Sequence, residues 1–136
     1  MTGSLGIMLV TAGILTDGKR VLVCQRRAGD RFGLKWEFPG GKVEAGETPA
    51  ACLRRELAEE LGIDADIGPE VHRSDYQYPN GVTVRLLFFR VFRYRGAPEN
   101  REFERFAWAR PDELPGFDFL EADREVVSRL ARGEVF

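Results

Sequence analysis

Residues 41–63 read GKVEAGETPAACLRRELAEELGI, and everything else in the chain can be placed relative to them. Thr48 is suited to cap a helix, Pro49 to sit in its first turn and Gly62 to follow its last residue. Leu53, Leu57 and Leu61 recur every four residues as an apolar stripe, so the stretch predicts a helix over Pro49–Leu61. On that helix Glu56, Glu59 and Glu60 stand at i, i+3 and i+4, which puts three carboxylates on one surface where they repel one another. A helix shaped by stability alone would separate them. A divalent cation held by carboxylate oxygens makes the clustering tolerable.

Just upstream, Phe38-Pro39-Gly40-Gly41 is expected to be a loop, because Pro39 has no amide donor and paired glycines open unusual backbone conformations. Such a loop can bring main-chain oxygens to a ligand. Further back, β-branched residues at 5–15 and 20–25 predict two strands joined by a turn at Thr16-Asp17-Gly18-Lys19. A polar, arginine-rich loop at 26–35 then leads to Trp36-Glu37-Phe38.

Downstream, 64–70 reads as a turn-rich connection. Segments 71–78 and 82–94 read as a hairpin around Pro79-Asn80-Gly81. An alternating segment at 102–109 predicts another strand, 111–118 is irregular, and 123–130 is helical by the spacing of Val126, Val127 and Leu130. Tyr76, Tyr78, Phe88, Phe89, Phe92 and Tyr94 alternate as strand residues do and are expected in the core. No repeat or linker divides the chain, so one domain over 1–136 is expected.

Composition narrows the function. A net charge of −2 argues against a protein that coats nucleic acid. The two cysteines, Cys24 and Cys52, form no C-x-x-C pair and have no neighbouring histidine, which argues against a zinc site or a secreted disulfide framework and for the reducing cytoplasm. The apolar run at 5–15 is far shorter than the ~20 residues that span a bilayer and lacks a basic leader, so neither a signal peptide nor a membrane helix is expected.

The order Gly41, Glu47, Arg55-Glu56, Leu57, Glu59-Glu60, Gly62, Ile63 matches the Nudix box at each defined position, and the chain resembles the Nudix hydrolases. At background frequencies, seven fixed identities at these spacings arise by chance in roughly one of 10⁸ to 10⁹ alignments. Gln25-Arg26-Arg27, the run Trp36 to Glu44 and the segment from Trp108 to Leu114 extend the resemblance to the MutT-like branch. It implies an α/β/α sandwich with a mixed central sheet, and Mg²⁺- or Mn²⁺-dependent hydrolysis of a nucleoside diphosphate linked to another group.

Carried over by position, Glu56, Glu59 and Glu60, with the main-chain carbonyl of Gly40, are the implied metal ligands, and Glu56 is a candidate base for the attacking water. Glu47 and Arg55 are expected as a charge pair aiming Glu56, with Lys42 and Glu44 in the same network. Of Arg26 and Arg27, both suited to phosphate by their forked guanidinium, Arg27 is favoured. Glu102, six residues before Trp108, is the implied further carboxylate; Glu104 lies close by. Phe38 matches an aromatic lining the base pocket, or else is core. Asp123 stands where the MutT type reads the purine edge with an asparagine, or else caps the last helix. His72, the only histidine, is expected to be structural.

The expected activity is conversion of a nucleoside triphosphate to its monophosphate and pyrophosphate, with an oxidised purine such as 8-oxo-dGTP favoured. A (d)CTP-type substrate is the close rival, dinucleotide polyphosphates and ADP-ribose come behind, and a non-catalytic nucleotide-binding module is the alternative from another class. Oligomeric state stays open.

Overall fold

The computed structural model describes residues 6–135. Its strands are β1 (Ile7–Asp17), β2 (Arg20–Gln25), β3 (Trp36–Glu37), β4 (Gly40–Lys42), β5 (Asp64–Asp66), β6 (Glu70–Gln77), β7 (Thr83–Val91), β8 (Arg93–Arg95) and β9 (Arg105–Ala109). Two α-helices, α1 (Pro49–Leu61) and α2 (Arg124–Ala131), complete it with short 3₁₀ turns at Pro111–Gly116 and Glu121–Asp123.

Seven strands form one mixed sheet in the order β3-β2-β1-β7-β6, with β4 also on β1 and β9 also on β2. Parallel pairing joins β1 to β7, from Ile7 opposite Thr83 to Leu15 opposite Val91. The two helices cover opposite faces. Leu53, Leu57 and Leu61 of α1 pack with Leu15, Leu22, Leu87 and Phe89. Val126, Val127 and Leu130 of α2 pack with Ile14, Val23 and Phe88 on the other side. This is the expected α/β/α sandwich. Each of the three α1 leucines is fully buried, and burial of such a side chain is worth ~1.5–3 kcal/mol.

The helix forms where its caps place it. Thr48 Oγ1 accepts from the Ala51 amide at 3.1 Å, and Gly62 closes the C-terminus in the left-handed region at φ 69°.

Several expectations need correction. Residue 5 of the first expected strand lies outside the described residues, and at its other end β1 runs on to Asp17, so the turn shrinks to Gly18-Lys19. Gly40-Gly41-Lys42 is not a loop but a strand, paired with Ala12, Thr11 and Val10. The ladder breaks one step earlier, at Phe38-Pro39, where the chain leaves β2 for β1. A side chain at Gly40 would run into the Thr11 carbonyl, which is why glycine is required there.

The expected strand at 82–94 is two strands. β7 ends at Val91, Phe92 is exposed, and β8 departs to pair with β5, inside the expected turn-rich connection. Cross-strand charge pairs hold that ribbon, with Asp64 accepting from Arg95 Nε at 3.0 Å and Asp66 from Arg95 Nη2 at 3.2 Å. The strand expected at 102–109 begins only at Arg105. Asn100 brackets Phe103, accepting from its amide at 2.8 Å and donating to its carbonyl at 2.9 Å, and bends the chain ahead of β9. In the aromatic set, Phe88 and Phe89 are core, whereas Tyr76, Tyr78 and Tyr94 are half-buried.

Candidate active site

Arg55 organises the carboxylates of α1. Its Nε and Nη2 donate to the two oxygens of Glu47 at 2.6 and 3.0 Å, and Nη1 donates to Glu56 Oε1 at 3.0 Å. Nη2 also reaches the Lys42 carbonyl at 3.4 Å, and Glu44 stands 3.9 Å away. These hydrogen bonds pull the carboxyl of Glu47 down to about 2 and raise the guanidinium of Arg55. The expected brace is present, with Lys42 joining through its main chain and not its ammonium.

Glu56 and Glu60 project under β4. The Gly40 amide donates to Glu60 Oε1 at 3.1 Å, and a Cβ on Gly41 would collide with the carboxyl of Glu56. Gly41 therefore provides the bare backbone against which the Glu56 carboxyl packs. Its carbonyl accepts from Thr11 Oγ1 at 3.2 Å and Cys52 Sγ at 3.5 Å, which ties β1, β4 and α1 together at this point.

Burial first, then the nearby charge of Glu56, pushes Glu60 well above the ordinary carboxylate range, against the hydrogen bond from Gly40. The last turn of α1 carries no basic residue to offset this. Two carboxyls held together in this way make a cradle that could hold a cation. Glu59 is exposed at the rim, where Arg55 Nη1 lies 3.4 Å away. Among the described residues no three acidic, histidine or cysteine side chains converge as a ready-made cage. One or two carboxylates with the remaining positions left to water and phosphate is how Mg²⁺ is usually held, whereas all-protein cages are uncommon for it.

Above the cradle opens a cavity of about 410 Å³, lined by Gly40, Gly41 and Glu60 at one end and by Phe38, Glu37 and Asp123 elsewhere. Its volume falls in the ~300–1,000 Å³ range of ligand pockets. Apolar residues of β1 and β7, among them Met8, Val10, Val84 and Leu86, form a wall. Phe38 is both core and lining: it is buried, stacks on Phe119 with centroids 5.3 Å apart, and faces the cavity.

Asp123 is 3% exposed and occupies the N-cap position of α2, yet its side chain makes no capping bond. The capping expectation is thus not met. Burial, reinforced by the charge of Glu37 and opposed by that of Arg26, pushes its carboxyl well above the ordinary range.

Arg26, and not Arg27, lines the cavity; Arg27 is exposed outside it. Arg26 donates through Nη1 to Glu37 Oε1 at 3.0 Å and through Nε to the Arg31 carbonyl at 2.8 Å. Glu37 was missed in the sequence. Its signal is a charged residue between two aromatics that both prove buried. Glu102 and Glu104 are exposed on the bend before β9, outside the cavity lining, and the Arg101 amide ties that bend to the end of α1 by donating to the Glu60 carbonyl at 3.1 Å. His72 links β6 to α2, with Nδ1 2.7 Å from Arg129 Nη1 and Nε2 2.9 Å from Glu125 Oε1, the second without hydrogen-bond alignment.

The NUDIX domain family profile matches residues 7–130. The chain is 39% identical over 118 residues to the CTP pyrophosphohydrolase of Escherichia coli, covering 86% of this chain and 85% of that one. It is 36% identical over 125 residues to the 8-oxo-dGTP diphosphatase of Haemophilus influenzae, covering 91% of each. The solution structure of the E. coli ORF135 protein superposes with a TM-score of 0.85 at 31% identity, covering 94% of this chain and 91% of that one.

Proposed function

Because the chain belongs to the NUDIX domain family, whose profile takes in residues 7–130, we propose that it is an Mg²⁺-dependent pyrophosphohydrolase that cuts a nucleoside triphosphate to its monophosphate and pyrophosphate. The observation that carries this reading is the Glu56–Glu60 pair under β4, of which Glu60 lines a nucleotide-sized cavity that also holds the buried carboxyl of Asp123.

Glu56 and Glu60 would hold the cation, with Glu59, Glu102 and the Gly40 carbonyl as further candidate ligands. When bound, the cation neutralises phosphoryl oxygens and makes a water easier to deprotonate; Mn²⁺ fits the same donors. Arg55 occupies Glu56 Oε1, which leaves Oε2 to take the proton of the attacking water. Arg26 has two nitrogens tied to Glu37 and to the main chain, so Nη2 is the one aimed at a phosphate or ribose oxygen.

The favoured substrate is an oxidised purine nucleotide such as 8-oxo-dGTP, in a pool-sanitising role, as the name of the Haemophilus relative indicates for that protein. A cytidine nucleotide is the second reading, and Asp123, buried on the cavity wall, is compatible with it. A carboxyl at this position can accept from the amino group of cytosine, or from the N1 and amino hydrogens of guanine. We place the enzyme in the cytoplasm as a single domain over 1–136, acting on free nucleotides without stable nucleic-acid or membrane partners. Among the described residues no helix is long and apolar enough to cross a membrane.

Pyrophosphate release with Mg²⁺ across normal and oxidised nucleotides tests the reading. It predicts the highest kcat/KM for 8-oxo-dGTP. Higher values for cytidine nucleotides, with no advantage of 8-oxo-dGTP over dGTP, would move the assignment to the second reading, and no release from any triphosphate would end both.

A further inference from the structure

Beside the main cavity lies a smaller one of about 170 Å³, and the two share Phe32, Tyr78, Leu120 and Ala122 as common walls. Alone it is below the range of ligand pockets, but it matches the ~150 Å³ void that accommodates one benzene ring. Its remaining lining is aromatic and charged: Tyr76, Phe119, Lys35 and Arg124 among others.

The partition between the cavities is one stacked pair. Phe32 and Tyr78 lie with centroids 5.8 Å apart at 27°, and the Arg31 guanidinium covers both rings, 5.0 and 5.4 Å from their centroids. Phe32 is 43% exposed, so its ring can leave this position without opening the core. Its backbone is in the left-handed region at φ 57°, as is that of Leu34 at φ 68°, a conformation that bulky side chains adopt only when the surroundings impose it. Here the imposing contacts are Arg26 Nε to the Arg31 carbonyl at 2.8 Å and the Leu34 amide to the Arg26 carbonyl at 3.0 Å.

Position supplies the ligand. Leu120 and Ala122, common to both cavities, stand three and one residues before Asp123, whose amide donates to the Leu120 carbonyl at 3.0 Å and which meets the amino edge of the base in the proposed reading. A substituent on the exocyclic amino group therefore points across Leu120 and Ala122 toward the smaller cavity. We propose that this cavity is an annex of the base site that takes a monocyclic aryl ring carried on the exocyclic amine of the nucleobase, with Phe32 as a movable partition. The inference rests on the nucleotide reading of the main cavity and deepens it.

The test measures binding, by quenching of intrinsic fluorescence, of dGTP and dCTP and of their N-benzyl derivatives at the exocyclic amine. The proteins are the full chain, Phe32→Ala, which removes the partition, and Tyr76→Trp, which fills the annex from its far side. For at least one base, the affinity of the benzyl compound relative to its parent rises fivefold or more in Phe32→Ala and falls by a similar factor in Tyr76→Trp. A ratio that is the same in all three proteins overturns the annex. Turnover of the parents in the same samples separates the two ideas: parents hydrolysed with an unchanged ratio overturn the annex alone, and parents neither bound nor hydrolysed overturn the nucleotide reading with it.

Discussion

Arg55 grips Glu47 through two parallel hydrogen bonds, at 2.6 and 3.0 Å, and this fork fixes the nitrogen that reaches Glu56. A lysine keeps the charge but cannot span both oxygens of Glu47 while also touching Glu56. Arg55→Lys is expected to lower kcat by about 10- to 100-fold, the usual cost of losing a ligand-orienting partner, with KM changed far less. Steady-state kinetics at saturating Mg²⁺ checks this, and a wild-type kcat would show that the fork is dispensable.

Glu56 is assigned both cation and proton. Glu56→Gln preserves its size, so urea unfolding should stay close to wild type while kcat drops by about three orders of magnitude or more, the scale seen when essential groups of a catalytic unit are removed. Activity within tenfold of wild type would strip Glu56 of the role.

The adjacent glycines of β4 should fail differently. At Gly40 a methyl group meets the backbone of Thr11 and Ala12, so Gly40→Ala should lower the unfolding temperature markedly. At Gly41 its nearest contacts are all in the carboxyl end of Glu56, so Gly41→Ala should fold and yet lose most of its activity and its Mg²⁺ dependence. Thermal unfolding and kinetics on both variants give the comparison; equal losses of stability would mean that β4 is a structural strand and nothing more.

Burial raises the folded-state pKa of Asp123 above its unfolded value of ~3.9. Between those two values the folded protein holds a proton that the unfolded chain has released. Stability therefore falls as pH rises through that window, by ~1.4 kcal/mol per unit, and levels off above the folded pKa. Asp123→Asn should flatten this decline and shift the preference among nucleobases. Urea titrations from pH 4 to pH 9 would show it, and identical slopes in variant and wild type would contradict the assignment.

Helix α1 was readable to the residue because each of its signals is local: a cap, a proline, a leucine stripe and a terminal glycine. The brace was readable because family spacing pairs Glu47 with Arg55. The β5–β8 ribbon was not, since Asp-Ala-Asp has no strand propensity and is held by Arg95, about thirty residues away in β8. Arg26 and Arg27 cannot be ranked from sequence either. Which of the two turns inward depends on Glu37, a partner reached only when β3 folds back on β2. Asp123 shows a further limit: its position fitted a cap, but it belongs to the 3₁₀ turn Glu121–Asp123, its backbone is already helical at φ −97° and ψ −8°, and its side chain makes no capping bond.

The absence of any basic residue from the last turn of α1 has a thermodynamic consequence. The carbonyl end of a helix carries partial negative charge, so Glu59 and Glu60 sit at the end that disfavours them. Whatever neutralises them binds the folded chain and not the unfolded one, and at a hundred times its dissociation constant it would add ~2.7 kcal/mol to folding. The unfolding temperature thereby becomes a gauge of cation affinity with no nucleotide present, and ranking Mg²⁺, Mn²⁺ and Ca²⁺ by the shift each produces would read the selectivity of the cradle separately from its chemistry.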